Sequence, residues 1–278
     1  MSDLKFSVAI SVYKNDNSIF FERALKSITD DQTLKPNEIV LVVDGAVSQE
    51  IDGVINDFSI KYPNLFKIIR LEKNGGLGNA LRIAVENSSF EIIARMDSDD
   101  VSSPERFERQ INYLKENSDV DIMGGDISEF IDSEENVVAY RKVPVGDEEI
   151  KKYMKKRCPF NHVTVAFKKS AVLKAGGYLD FFWNEDYYLW IRMFESGAVF
   201  ANSGNVLVNV RTGKDMYKRR GGLKYYKSEK ALQKYMLKHK IIGFGTYFVN
   251  VTKRFIVQVL MPNGIRGWVF KKFARKSA

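Results

Sequence analysis

Asp97-Ser98-Asp99-Asp100 sets three carboxylates within four residues, directly after the apolar run Ile92 to Met96. Ionised together they repel one another unless hydrogen bonds or a cation offset the charge, and a divalent ion with oxygen ligands would do so. Mg2+ or Mn2+, held partly by a ligand's phosphates, suits a site with so few protein ligands. The plainer alternative is a solvated acidic loop ahead of the helix near Pro104. A second pair, Glu185-Asp186, follows Asn184 and opens a helix striped by Leu189, Trp190, Met193 and Phe194. Two acids there stabilise the helix dipole and need do nothing more. Phe181, Phe182, Trp183, Tyr187 and Tyr188 surround them, however. Such a setting could desolvate a carboxylate and raise its pKa to general-base strength, and aromatic faces suit sugar rings.

Weaker signals accompany these two. Asn74-Gly75-Gly76-Leu77-Gly78 opens a helix after a strand, where backbone N–H groups could meet phosphate. It lacks the GxGxxG spacing and reads equally well as a turn. His162 is one of only two histidines, and a lone histidine is more often structural than a ligand. Arg211 and the segment Tyr217 to Gly222, with Arg219 and Arg220, could neutralise a diphosphate or belong to a solvated basic face.

The elements that must position these residues alternate strand and helix. Phe6 to Val12, Glu38 to Val43, Phe66 to Leu71 and Ile92 to Met96 are nearly all-apolar runs, as expected for strands covered on both faces. Helical spacing fills the intervals: Ile19 to Ile28, Gln49 to Ile60, Leu77 to Asn87, and Pro104 to about Glu116, with Pro104 as the first helical residue. Repeated β-α-β units imply right-handed crossovers and a mainly parallel sheet, whose ligands bind beyond the carboxyl ends of the strands. Tyr13, Asp44 and Asp97 each lie just past such an end. After Asp121 the pattern predicts a hairpin of Ile127 to Ile131 with Val137 to Tyr140, a strand at Val163 to Phe167, and two short strands around Ser203-Gly204. Helices are expected at Asp147 to Lys156, at Glu185 to Ser196, and through much of the chain beyond Gly222.

The 278 residues carry a net charge of +8, which hides an asymmetry. From Lys214 onward 17 Lys/Arg face two acids, a net +15, leaving −7 on the first 213 residues. A basic tail on an acidic body suggests an anionic partner, nucleic acid or a membrane surface, or else a solvated face that aids solubility. The single cysteine, Cys158, excludes an intramolecular disulfide and a cysteine-based zinc site. No signal peptide and no apolar run of spanning length are read, so a cytoplasmic protein without a membrane-spanning helix is expected.

In this order the motifs resemble the family 2 glycosyltransferases, over roughly Phe6 to Val210. They are the strand ending near Tyr13, Val43-Asp44-Gly45, Asn74 to Ala80, the Asp97 to Asp100 cluster, and Gly176-Gly177-Tyr178 followed by Glu185-Asp186. Asn161 to Val165, Trp183 to Arg192 and Met216 to Gly222 look like the branch that builds amylovoran, capsule and O-antigen units. The resemblance implies an α/β GT-A fold: a mainly parallel, Rossmann-like sheet with helices on both faces, plus a basic helical C-terminal region. Residues 1–120 would form the nucleotide-binding half, 121–213 the acceptor-binding half, and 214–278 the basic amphipathic region. Tyr13 and Asp44 would contact the base, usually uracil, and Asn74, Gly78 and Arg95 would complete the donor contacts. Asp97 would face the ribose or a metal-bound water, and Asp99 would ligate Mn2+ or Mg2+. Asp186 would deprotonate the acceptor hydroxyl, supported by Glu185, in one in-line displacement that inverts the anomeric centre. His162, Trp183, Arg211, Arg219 and Arg220 are the candidate acceptor or diphosphate contacts.

Two departures are present. The usual proline at the first strand's end is missing from Ile10-Ser11-Val12-Tyr13, and the QxxRW motif of processive synthases is absent. One sugar added per encounter is therefore expected. The implied acceptor is a saccharide or a polyprenyl-diphosphate-linked saccharide at the inner membrane leaflet. Phe244 to Leu260, and Trp268, Phe270 and Phe273 among Arg266, Lys271, Lys272 and Arg275, then read as a peripheral membrane anchor. Alternatively these apolar residues pack on the catalytic body or on a second subunit, as in a homodimer. Two rival classes stand beside this reading. A nucleic-acid-binding α/β protein explains the tail but not the acidic cluster, and no nucleic acid is expected. A sugar nucleotidyltransferase would need a glycine-rich N-terminal loop that is lacking.

Overall fold

The structure is a computed structural model that describes residues 4–213, 221–262 and 276–277. Arg219 and Arg220, and the tail segment with Trp268, Phe270 and Phe273, lie outside the described residues.

Strands β1 (Phe6–Val12), β2 (Glu38–Val43), β3 (Phe66–Arg70) and β4 (Ile92–Met96) form a parallel half-sheet in the order β3-β2-β1-β4. Side chains alternate across a strand, and the apolar runs divide accordingly. Val8, Ile10, Ile39, Leu41, Ile92 and Ala94 enter one core, with α1 (Ser18–Ile28), α2 (Gln49–Lys61) and α4 (Arg106–Glu116). Ala9, Val40, Val42 and Ile93 enter the other, with α3 (Leu77–Asn87). Each fully buried branched side chain contributes about 1.5–3 kcal/mol, so both faces need cover and both receive it.

Beyond β4 the sheet becomes mixed. β5 (Val101–Ser102) pairs with β9 (Phe200–Arg211), β6 (Ile122–Phe130) pairs with β7 (Val137–Arg141) and β8 (Ala166–Lys168), and β8 returns antiparallel to β4. β6 and β9 run parallel, and β10 (Lys276–Ser277) pairs with β7. Helices α5 (Asp147–Met154), α6 (Lys169–Lys174), α7 (Glu185–Glu195), α8 (Leu223–Lys238) and α9 (Phe244–Phe255) complete the chain, α9 running into a π turn at Ile256–Leu260. Leu232 and Met236 of α8 are fully buried in the second core, beside Trp190 and Ile191 of α7. Among the described residues no helix is long and apolar enough to cross a membrane.

Four local expectations are corrected. The β6 strand begins five residues before Ile127, at Ile122, and runs through Gly124-Gly125. The glycines make room beside the parallel neighbour β9: a Cβ on Gly125 would lie 2.6 Å from the Leu207 side chain. The two short strands around Ser203-Gly204 are one twelve-residue strand whose register shifts against β6. Val163 and Thr164 belong to a 3-10 turn at His162–Thr164, because Thr164 Oγ1 donates to Asn161 O at 2.7 Å and accepts from Gly125 N–H. Pro104 precedes α4, which starts at Arg106, and its carbonyl accepts from Thr33 N–H at 3.0 Å.

Candidate functional site

The registers Val12↔Val43 and Ile10↔Met96 bring the carboxyl ends of β1, β2 and β4 level, so Tyr13, Asp44 and Asp97 emerge at one edge. They line a cleft of about 790 Å³ together with Asn74, Gly78 and Asp99. Asp44 is almost fully buried. Its carboxylate accepts from Gly75 N–H at 2.7 Å, from Gly76 N–H at 3.0 Å and from Asn74 Nδ2 at 3.0 Å. The Asn74 to Gly76 segment is therefore a shaped wall fixed by Asp44. Gly45 makes this possible: its φ is +86°, and a Cβ there would sit 2.8 Å from Asn74 N. Gly76 stands at the N-cap of α3 with no side chain closing the helix end. The first residues of α3, Leu77, Gly78 and Asn79, line the cleft, and a helix N-terminus in that position favours an anion. Tyr13 is partly exposed.

The acidic cluster divides into different tasks. Arg95 is buried and holds both carboxylate oxygens of Asp97, a fork-to-fork pair on one strand end. Arg95 thus supports Asp97 from beneath rather than projecting from the edge as Tyr13 does. Asp100 is buried and accepts from Arg211 N–H at 2.9 Å, so it anchors the end of β9. Burial, with Asp99 and Asp97 close by, pushes its carboxyl well above the usual range. Asp99 opens into the cleft. Desolvation among the cleft walls, then Asp97 and Asp16, push it up to about 6.

Asp16 is absent from the sequence-based candidates. Its Oδ2 accepts from Tyr13 N–H at 3.1 Å and from Ser98 Oγ at 2.8 Å, and burial raises its pKa. Its one sequence signal is its place in the loop just past β1. Among the described residues no three His, Cys, Asp or Glu side chains are arranged to enclose a metal ion. Asp97 and Asp99 offer hard oxygen donors, and Asp99 is raised by desolvation first and then by the neighbouring carboxylates of Asp97 and Asp16. These residues fit Mn2+ or Mg2+ provided a ligand's phosphates complete the shell.

A second cavity, of about 610 Å³, lies on the other side of Glu185. Leu77, Asp97, Trp183 and Glu185 line both cavities, so the two meet there. Glu185 and Asp186 occupy the first turn of α7. The preceding Asn184 does not cap that helix but donates from Nδ2 to Ser228 Oγ on α8 at 3.0 Å. Burial first, then Asp186, pushes Glu185 up to about 7. Asp186 lines only the second cavity, where the Cys158 thiol donates to its Oδ2 at 3.8 Å. Burial holds that thiol far above the thiolate range, so Cys158 is no nucleophile. Trp183 is half exposed and has φ +56°, a left-handed backbone that a bulky residue rarely adopts.

His162 lines this cavity too, but Nε2 is hydrogen-bonded to Tyr178 OH at 2.9 Å. Burial and Arg95 drive its pKa well below the ordinary value, so it stays neutral and brings no charge to a diphosphate. Arg211 lines neither cavity. Its guanidinium lies over the Phe20 and Phe130 rings, 3.8 and 4.7 Å from their centroids, and donates to the carbonyls of Asp99 and Asp132. It braces the acidic loop from behind. Lys156 and Arg157, which sequence reading did not single out, and Lys253, which falls in the segment read as a membrane anchor, line the second cavity instead.

Residues 7–177 match the sequence profile of Glycosyl transferase family 2. The chain is 36% identical to the UDP-Gal:alpha-D-GlcNAc-diphosphoundecaprenol beta-1,3-galactosyltransferase of Escherichia coli, over 98% of this chain and 97% of that one. It is 37% identical to the amylovoran biosynthesis glycosyltransferase AmsE of Erwinia amylovora, over 96% of this chain and 98% of the other. The fold is similar to that of S. aureus TarS 1-349 in complex with UDP-GlcNAc, with a TM-score of 0.68 and 16% identity. That likeness covers 96% of this chain and 79% of TarS 1-349, and makes the fold GT-A. With the profile spanning well over half its length, this chain belongs to the family 2 glycosyltransferases.

Proposed function

We propose that this chain moves one sugar from a UDP-sugar to a hydroxyl of a lipid-diphosphate-linked saccharide, with inversion, during assembly of a bacterial surface polysaccharide. The observation that carries the reading is the junction of the two cavities: Asp97, Trp183 and Glu185 face both, with Asp99 on one side and Asp186 on the other. A donor in one and an acceptor in the other would meet at these side chains. The named substrates of the E. coli relative, a UDP-sugar and a lipid-diphosphate-linked sugar, agree with that division.

On this reading the nucleotide lies along the strand ends between Tyr13 and the wall that Asp44 fixes. Its diphosphate faces the N-terminus of α3 and the Asp97–Asp99 edge. Asp97 and Asp99 would hold Mn2+ or Mg2+, which when bound supplies positive charge against the departing diphosphate. Asp186 accepts the proton of the acceptor hydroxyl as its oxygen bonds to the anomeric carbon and the bond to the diphosphate oxygen breaks. Attack from the face opposite the leaving group inverts that carbon. Glu185, raised to about 7, is partly protonated at neutral pH and can donate a hydrogen bond to a sugar oxygen at the junction. Trp183 offers an aromatic face to the acceptor sugar, a use that accounts for its retained backbone strain.

We also propose that the enzyme is peripheral on the inner membrane face. Phe244, Phe248, Phe255, Ile256 and Leu260 are exposed along α9 and its π turn, on the region that carries the net +15. The test of the catalytic reading is a calorimetric donor screen with UDP-, GDP- and dTDP-sugars, each with Mn2+ or Mg2+. Metal-dependent binding of a UDP-sugar is expected. Failure to bind any nucleotide sugar with either metal sinks it.

A further inference from the structure

The second cavity is lined by the acids Glu185 and Asp186 of α7 and by cations from other parts of the chain. Lys156 and Arg157 reach it from the segment after α5, and Lys253 from α9. Among the described residues none of these three forms an ion pair, although Arg254 beside them is paired with Glu229. Three cations without an ion pair among the described residues line one cavity, and an anion bound there would be attracted by all three. Their positions are set by the backbone. Asn250 Nδ2 donates to Lys155 O at 2.9 Å and Arg254 Nη2 to Lys156 O at 3.0 Å. Asn250 and Arg254 are one turn apart on α9, so the pair latches that helix to the Lys155–Arg157 segment. Asn250 is nearly buried and also donates to Gln233 Oε1 on α8 at 2.8 Å. The wall therefore depends on helices from the far end of the chain.

We propose that Lys156, Arg157 and Lys253 form a diphosphate subsite for the acceptor, distinct from the place the donor diphosphate takes at the strand ends. This rests on the acceptor-side reading above and adds the residues that would hold the diphosphate joining the saccharide to its carrier. A saccharide whose hydroxyl lies at Asp186 can extend its diphosphate along the same cavity to the cations. The cavity volume of about 610 Å³ falls within the range of small-molecule sites. The exposed apolar residues of α9 lie on the same helix as Lys253. A bilayer met by that helix would thus bring a carrier diphosphate close to this wall.

The experiment uses the full chain and two readouts. First, calorimetry follows binding of a short alkyl diphosphate to the enzyme kept saturated with UDP and Mn2+. Wild type binds it, whereas K156A/R157A/K253A weakens binding at least about tenfold. Competition with UDP, or unchanged affinity in the variant, overturns the proposal. Second, transfer is measured to an N-acetylglucosaminyl diphosphate bearing a short alkyl chain and to the matching alkyl glycoside without phosphate. The variant raises KM for the first acceptor alone, with kcat and donor affinity unchanged, and K156R/R157K/K253R restores it. An equal loss on both acceptors, or a loss of donor affinity, overturns it. The calorimetric arm does not depend on turnover, so it stands even where the choice of acceptor sugar fails. Lys156 and Lys253 are exposed, and equal thermal melting of variant and wild type checks the fold.

Discussion

The two cavities that meet at Glu185 are built by different means. In the cleft we assign to the donor, three carboxylates are fixed by partners near the sheet edge: Asp44 by Gly75 and Gly76, Asp16 by Tyr13 and Ser98, Asp97 by Arg95. In the second cavity, which we assign to the acceptor, Lys156 and Arg157 follow α5, Glu185 and Asp186 open α7, and Lys253 lies on α9. They share few direct bonds, and their placement is governed by how helices pack. Fixed dipoles suit a site that must hold a diphosphate through bond breaking, since they need no reorganisation as charge develops. Charges on separately packed helices suit a site that must differ between acceptors, because they can change without disturbing the sheet.

The largest effect should come where the two meet. Asp186→Asn keeps the shape of α7 but removes the proton acceptor. It should lower kcat by about 10²- to 10⁴-fold and leave the affinity for UDP-sugar near wild type. Equal loss of donor affinity would move Asp186 to a structural or metal role and erase the proposed division between the cavities.

Asp44→Ala should separate the regions by stability. It leaves two N–H groups and the Asn74 amide without their buried carboxylate, and hydrogen bonds to a charged group contribute about 1.5–3 kcal/mol each. A clear fall in Tm is expected, with weaker donor binding as the Asn74 to Gly76 wall loosens. Lys253→Ala on the other side should leave Tm unchanged. A variant with normal Tm and donor affinity at Asp44 would mean that the cleft is not ordered by this residue.

Legibility in the sequence follows the same divide. The four parallel strands and the edge at Tyr13, Asp44 and Asp97 can be read because alternating burial and strand ends are local properties. The first residues of β6 are missed because Gly124 and Gly125 weaken its strand signal, and the Leu207 side chain they make room for lies far along the chain. Arg211 reads as either a diphosphate contact or part of a solvated basic face, and its neighbours Phe20 and Phe130 are brought to it only by folding. Lys156 and Arg157 look like ordinary surface charge, and Lys253 like part of a membrane anchor, until Asn250 and Arg254 tie α9 to the Lys155–Arg157 segment. Asp16 could have been found, since it stands three residues past Tyr13 at an edge already identified.

The smallest effect tests what the order of the donor cleft costs when no ligand is present. Asp99 titrates at about 6 in the folded chain against an ordinary 3.8, so between these values the folded state holds more protons than the unfolded one. Its contribution to stability is therefore greatest at low pH and declines as pH rises from about 4 to about 6. Solvent reaches the side chain, which keeps the effect modest. Asp99→Asn removes the charge and with it this decline. In urea denaturation without metal, the variant should match wild type near pH 4.5 and exceed it at pH 7.5. Adding Mn2+ with UDP should reverse the order at pH 7.5, because only wild type keeps the carboxylate that the cation needs. A variant less stable than wild type at pH 7.5 without metal would show that Asp99 makes stabilising contacts as an anion. The cleft's crowded carboxylates would then be a structural feature, and the case for a cation between Asp97 and Asp99 would fall with it.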